Sequence, residues 1–172
     1  MMKKQCIKVI PRGLLAGTLT AAISLLPGIA AAEPQVAVLS NKNLIVEYGN
    51  NTAYIEAGED FGLITALSGD GLYDVYAAYA KFGDDGELGD IDFLDENSTP
   101  VLWDSNVALP ARLRGNLDMA NSPVKERMVS LFTKKQPSEH GFDAGTYVFA
   151  VGLSTPGQYD FPVLEFIVVN VE

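Results

Sequence analysis

The cleanest strand pattern, bulky residues at every second position, lies in the last third of the chain. Across 146–153, Tyr147, Phe149, Val151 and Leu153 fall on one side, and Val148, Ala150 and Gly152 on the other. This is the two-residue period of a strand with two distinct faces. Pro156-Gly157 then turns the chain, and residues 163–171 read as a final strand. Upstream, shorter apolar runs at 44–48, 52–56, 61–67, 91–94, 101–103 and 129–133 are separated by turn clusters such as Gly49-Asn50-Asn51, Ser68-Gly69-Asp70-Gly71 and Gly83-Asp84-Asp85-Gly86. Short strands punctuated in this way predict an all-β antiparallel sandwich of about seven to nine strands over residues 44–172. Residues 33–43 read as a lead-in to it. Residues 104–126, with little periodicity and with Pro110 and Pro123, read as its longest loop.

Residues 72–82 fit two periods. Leu72, Val75, Tyr76, Tyr79 and Phe82 lie close to helical spacing, and Ala77, Ala78, Ala80 and Lys81 tolerate a helix. Yet Tyr73, Val75, Ala77 and Tyr79 also alternate, and glycine-rich turns flank the segment on both sides. The flanking turns favour a strand in a meander over a helix.

The first residues have a different character. Lys3, Lys4, Lys8 and Arg12 form a basic start without an acid, residues 14–32 are uncharged and largely apolar, and Ala30-Ala31-Ala32 ends the stretch. This three-part pattern predicts a signal peptide over residues 1–32, cleaved after Ala32, and hence an exported chain, periplasmic or extracellular. The single cysteine, Cys6, precedes the apolar stretch. The mature chain is therefore expected to be free of disulfides and of a lipidated cysteine. No later apolar run is long enough for a membrane span, so no integral membrane segment is expected after cleavage. All 22 acids lie beyond Ala32, where only 8 of the 12 bases remain, so a chain starting at Glu33 carries a net charge of −14. Such a charge repels phosphate and excludes nucleic acid as a partner class.

Asp143-Ala144-Gly145-Thr146-Tyr147 resembles the turn before a late strand of immunoglobulin-like sandwiches, where an Asp-x-Gly-x-Tyr pattern forms a tyrosine corner. The resemblance implies that Tyr147 is buried, with its hydroxyl bonded back to the backbone near the turn. It also implies that Phe149 occupies the place where antibody-type domains have their second cysteine. With Asp74-Val75-Tyr76-Ala77-Ala78-Tyr79 before its Gly-Asp-Asp-Gly turn, the wider string is similar to accessory β-sandwich modules of secreted bacterial proteins. Those modules present surfaces or space other domains, which implies a role in binding rather than catalysis.

Candidate chemistry is sparse. The lone His140 lies in a polar turn, and nucleophilic catalysis needs a base beside its nucleophile. One histidine and no mature cysteine also make a poor zinc set. Asp84, Asp85, Glu87, Asp90 and Asp92, followed by Asp95 and Glu96, fall in a short glycine-interrupted window. Hard oxygens on turns suit calcium, although the EF-hand order is not met. A solvated hairpin tip explains the same residues. Tyr48, Tyr54, Tyr73, Tyr76, Tyr79 and Trp103 furnish either core or an aromatic platform for a protein or carbohydrate partner. The expectation is a non-enzymatic exported binding or presenting protein with no cofactor other than calcium. The alternative is a small acid-based hydrolase, calcium-dependent and carbohydrate-directed.

Overall fold

The computed structural model describes residues 32–107 and 109–172. Residues 1–31, and with them nearly all of the expected signal peptide, lie outside the described part. The described chain is an all-β sandwich. Its strands are β1 (Gln35–Ser40), β2 (Ile45–Glu47), β3 (Asn50–Ile55), β4 (Phe61–Ser68), β5 (Leu72–Phe82), β6 (Leu88–Leu94), β7 (Pro100–Leu102), β8 (Arg114–Asp118), β9 (Met128–Lys135), β10 (Gly145–Ser154) and β11 (Val163–Val171). A single helical turn, α1 (Val124–Arg127), precedes β9. No helix among the described residues is long and apolar enough to cross a membrane.

Strands β1, β4 and β9 form a three-stranded sheet in the order β1-β4-β9. The other strands form the larger sheet, in the order β2-β3-β11-β10-β5-β6-β7, with β8 paired to β5. The segment 72–82 is a strand, paired along most of its length with β10 on one side and β6 on the other.

Three expectations need correction. Residues 33–43 are not merely a lead-in, because β1 pairs over six positions with β4 and buries Val38. The chain is tied down from Ala32 onward: Ala32 N–H donates to Asp70 Oδ2 at 2.7 Å, and Asp70 N–H donates to the Ala32 carbonyl at 3.0 Å. The sheets are not wholly antiparallel, because β3 runs parallel to β11 through Ile167↔Asn51 to Val171↔Ile55. The strand count also exceeds nine, since β1 in the expected lead-in and β8 inside the expected loop both pair. Strand β8 has no β-branched residue and contains Asn116 at φ +53°, so its irregular pairing to β5 is not specified by its own sequence.

Alternation decides what is buried. Tyr147, Phe149, Val151 and Leu153 all face inward, as do Val75 and Ala77 of β5 and Ile167 and Val169 of β11. The small sheet covers them with Phe61 and Leu63 of β4 and with Val129 and Leu131 of β9. Phe149 lies at the centre of an aromatic cluster, its ring 5.5 Å from Phe132, 5.6 Å from Tyr79 and 5.8 Å from Phe61. Each such side chain contributes roughly 1.5–3 kcal/mol on burial, so this layer is what holds the two sheets together.

Candidate functional site

The opposite face of the same strands carries a long apolar concavity. Register aligns the outward side chains in rows across the large sheet. Phe93, Ala78, Ala150 and Phe166 form one row; Ile91, Ala80, Val148 and Val168 form the next. The two central strands thus contribute small residues, and the two flanking strands contribute large ones. The result is a trough of about 410 Å³ that runs along β5 and β10, with Ala78, Ala80, Ala150 and Gly152 in its floor. Its walls are Leu88, Ile91 and Phe93 on one side and Leu164 and Phe166 on the other. No charged residue lines it among the described residues. Leu164 is 54% exposed and Phe166 42%, on the part of β11 that lies beyond its pairing with β3. A volume of this size lies within the range of small-ligand sites.

One end of the trough is closed by aromatic rings. Tyr159 and Phe161 pack edge to face at 4.4 Å, and Tyr76 stands 5.7 Å and 5.4 Å from them. Gly152 makes room for this packing, because a Cβ there would meet Phe161 Cδ1 at 2.4 Å. Phe161 adopts φ +39°, a left-handed conformation disfavoured for a bulky residue. The loop holds it there through Asp160, whose carboxylate accepts from Ser154 Oγ and Thr155 Oγ1 at 2.7 Å and from Thr155 N–H at 2.9 Å. The Thr155 and Ser154 hydroxyls and the Thr155 amide lower the Asp160 pKa to about 2.

Beneath this end lies Asp74, which is wholly buried. Its Oδ2 accepts from Arg112 Nη1 at 3.0 Å and from Gly157 N–H at 2.9 Å, and its Oδ1 accepts from Asn116 N–H at 2.8 Å. Burial alone would raise its pKa. The Gly157 and Asn116 amides and the Arg112 guanidinium outweigh burial and lower it. Asp74 is thus a structural anion that joins the β5 edge to the loops at 112–116 and 157. A neighbouring hollow of about 510 Å³, lined by Asp95, Glu96, Pro110 and Arg112 among others, is built from groups already engaged. Asp95 Oδ1 accepts from the Asn97 and Thr99 amides at 2.8 Å, and Arg112 serves Asp74.

Of the acids read as calcium ligands, three lie on the turn at the other end of the trough and two on β6. Asp84, Asp85 and Glu87 are exposed on the β5–β6 turn, which is closed by Gly83 N–H donating to the Glu87 carbonyl at 2.8 Å. Asp85 Oδ1 accepts from the Glu87 amide at 3.1 Å. By alternation, Asp90 and Asp92 face away from Ile91 and Phe93. Asp92 lies beside Tyr79, where burial first and then this carboxylate push the tyrosine hydroxyl up to about 12. Among the described residues, no three His, Cys, Asp or Glu side chains gather as a metal-binding set.

Tyr147 is buried, and its hydroxyl donates to Asp143 Oδ1 at 2.6 Å, with the Asp143 carbonyl 3.2 Å away. Lys81 pairs with the same carboxylate at 2.6 Å. The Lys81 ammonium first, then the Tyr147 hydroxyl, hold Asp143 at about 2. His140 is structural as well. Its Nε2 lies 2.8 Å from the Thr133 carbonyl, and its ring packs on Phe132 at 5.3 Å. The expected aromatics scatter. Tyr73 and Tyr79 pack on the core, Tyr48 is fully exposed, Tyr54 donates to Glu47 at 2.5 Å, Trp103 packs on Phe93 at 6.3 Å, and of them Tyr76 and Tyr79 touch the trough.

No family model matches the chain, and neither a curated protein nor a solved structure resembles it.

Proposed function

We propose that this chain is a non-enzymatic exported binding protein, and that its binding element is the outer face of the large sheet. The observation that carries the reading is the uncharged trough of about 410 Å³ in the middle of that face, walled by apolar side chains that remain substantially exposed. Soluble proteins seldom leave contiguous apolar surface uncovered unless something binds there. The basic, apolar, small-residue start of the sequence and the acidic remainder support export. The Tyr147–Asp143 contact supports the likeness to immunoglobulin-like accessory modules, which present surfaces. The acids that a hydrolase would use do not line the trough.

Fluorescence titration with N-phenyl-naphthylamine, an uncharged dye that brightens in apolar sites, tests this. Saturable binding is expected, weakened at least about tenfold in Ala150→Leu, whose larger side chain fills the floor; a tenfold loss corresponds to about 1.4 kcal/mol. Absence of any enhancement with the unmodified protein would remove the trough as a binding site.

A further inference from the structure

We propose that the ligand of the trough is a cationic amphiphile, an apolar chain bearing an amine or quaternary ammonium head, bound with its tail at the aromatic end and its head at the β5–β6 turn. This deepens the reading of the trough as a binding site and rests on it. Three observations set the ligand class.

The first is the state of the floor. Strand β10 is hydrogen-bonded to β5 and β11, and β5 to β10 and β6. The backbone groups of the floor are therefore already paired, and the walls are hydrocarbon and aromatic. The buried part of the ligand thus meets almost no donor or acceptor. An alkyl chain loses nothing in such a place, whereas a peptide backbone would have to turn all of its polar groups outward.

The second is polarity along the trough. Tyr76, Tyr159 and Phe161 close one end, so a chain enters with its terminus against those rings. Strand β5 then runs from Tyr76 to Phe82 and directly into the turn. Leu88, which lines the trough, directly follows Glu87. A head group that projects past Leu88 therefore meets the turn.

The third is the charge found there. Asp84, Asp85 and Glu87 are exposed, and none has an ion-pair partner among the described residues. Lys81, one residue before Phe82, is already committed to Asp143 at 2.6 Å. Three unneutralised carboxylates at the mouth of an uncharged channel attract a cation and repel an anionic head.

The test is displacement of bound N-phenyl-naphthylamine by decyltrimethylammonium, decanol and decyl sulfate, each below its micelle concentration. Decyltrimethylammonium is expected to bind at least tenfold tighter than decanol, decyl sulfate weaker than decanol, and the cationic preference should shrink as salt is raised. In Asp84→Asn with Asp85→Asn and Glu87→Gln, dye binding should persist while the cation–neutral difference falls to within twofold. Three results would overturn the proposal: equal affinity for the three heads, an unchanged preference in the triple variant, or undiminished cation binding in Ala150→Leu, which would place the cation on surface acids outside the trough. If a basic, apolar peptide displaced the dye and decyltrimethylammonium did not, the ligand class would be wrong. In the unmodified protein dye binding itself stays intact under each of these outcomes, whereas a failure of the trough as a site would appear as no dye binding to that protein at all.

Discussion

The two faces of the large sheet are made by the same strands and differ in what covers them. On the inner face, Phe149, Val151, Ile167 and Val169 are buried under a second sheet. On the outer face, Ala150, Phe166 and Leu164 are just as apolar, and only the Tyr159–Phe161 loop reaches over them. Hydrophobicity alone therefore does not mark the core of this protein. The inner row alternates with the outer one, and a one-residue shift of register would exchange them. The difference teaches that the inner face is committed to stability, while the outer face, proposed above to bind a ligand, is left largely uncovered. Substitutions should separate these two roles.

The largest effect should come from the inner face. Phe149→Ala is expected to lower unfolding free energy by about 3–5 kcal/mol, because it opens a cavity among Phe61, Phe132 and Tyr79. A chemical denaturation midpoint near that of the unmodified protein would contradict the central place given to this ring. Next comes Asp74→Asn, which removes the charge that receives three donors; a loss of about 2 kcal/mol is expected. It also bears on acid stability. Asp74, Asp143 and Asp160 all have folded-state pKa values below the ordinary 3.8. Unfolding therefore raises their proton affinity. The stability they supply is complete above about pH 4 and lost as pH falls toward 2. Melting temperatures measured across that interval should fall less steeply in Asp74→Asn than in the unmodified protein.

Tyr147→Phe should cost about 1 kcal/mol, at the modest end for a lost hydrogen bond, because the Asp143 carboxylate it abandons is exposed and retains Lys81. A thermal shift well beyond that would mean that the Asp143 carbonyl depends on the hydroxyl for its own satisfaction. The smallest stability effect belongs to the outer face. Phe166→Ala should change unfolding free energy by no more than about 0.5–1 kcal/mol while clearly weakening dye binding. If it destabilised as strongly as Phe149→Ala and left dye affinity unchanged, the division between the two faces would collapse.

Much of the sandwich was legible in the sequence, because strands β4, β10 and β11 are mostly apolar over eight or more residues with turn signals at their ends. Strand β1 was less legible: Val36 and Val38 provide only two inward positions beside a segment that reads as a signal. The parallel β3–β11 pair joins residues more than a hundred positions apart, which no local pattern reveals. The trough was the least legible part. Ala78 and Ala80 are among the residues that left a helix open as the second reading of 72–82, and alanine is a weak strand former. Only the register sets them beside Ala150 and Gly152, where the absence of bulk becomes a floor. The Tyr147 corner was legible in its motif, yet its shortest bond goes to the Asp143 side chain and not to the backbone.

The edges of the large sheet govern how molecules crowded together would meet. Strands β2 and β7, which end it on either side, are three residues each, and β7 opens with a proline. An incoming strand would find few rungs at either edge, and one position of β7 offers no donor at all. Growth by strand addition, the route to fibrils, therefore gains little on these two terminal strands. That safeguard allows the wide apolar face between them to stay open at high local concentration, with the acidic surface supplying the repulsion that keeps neighbouring molecules apart.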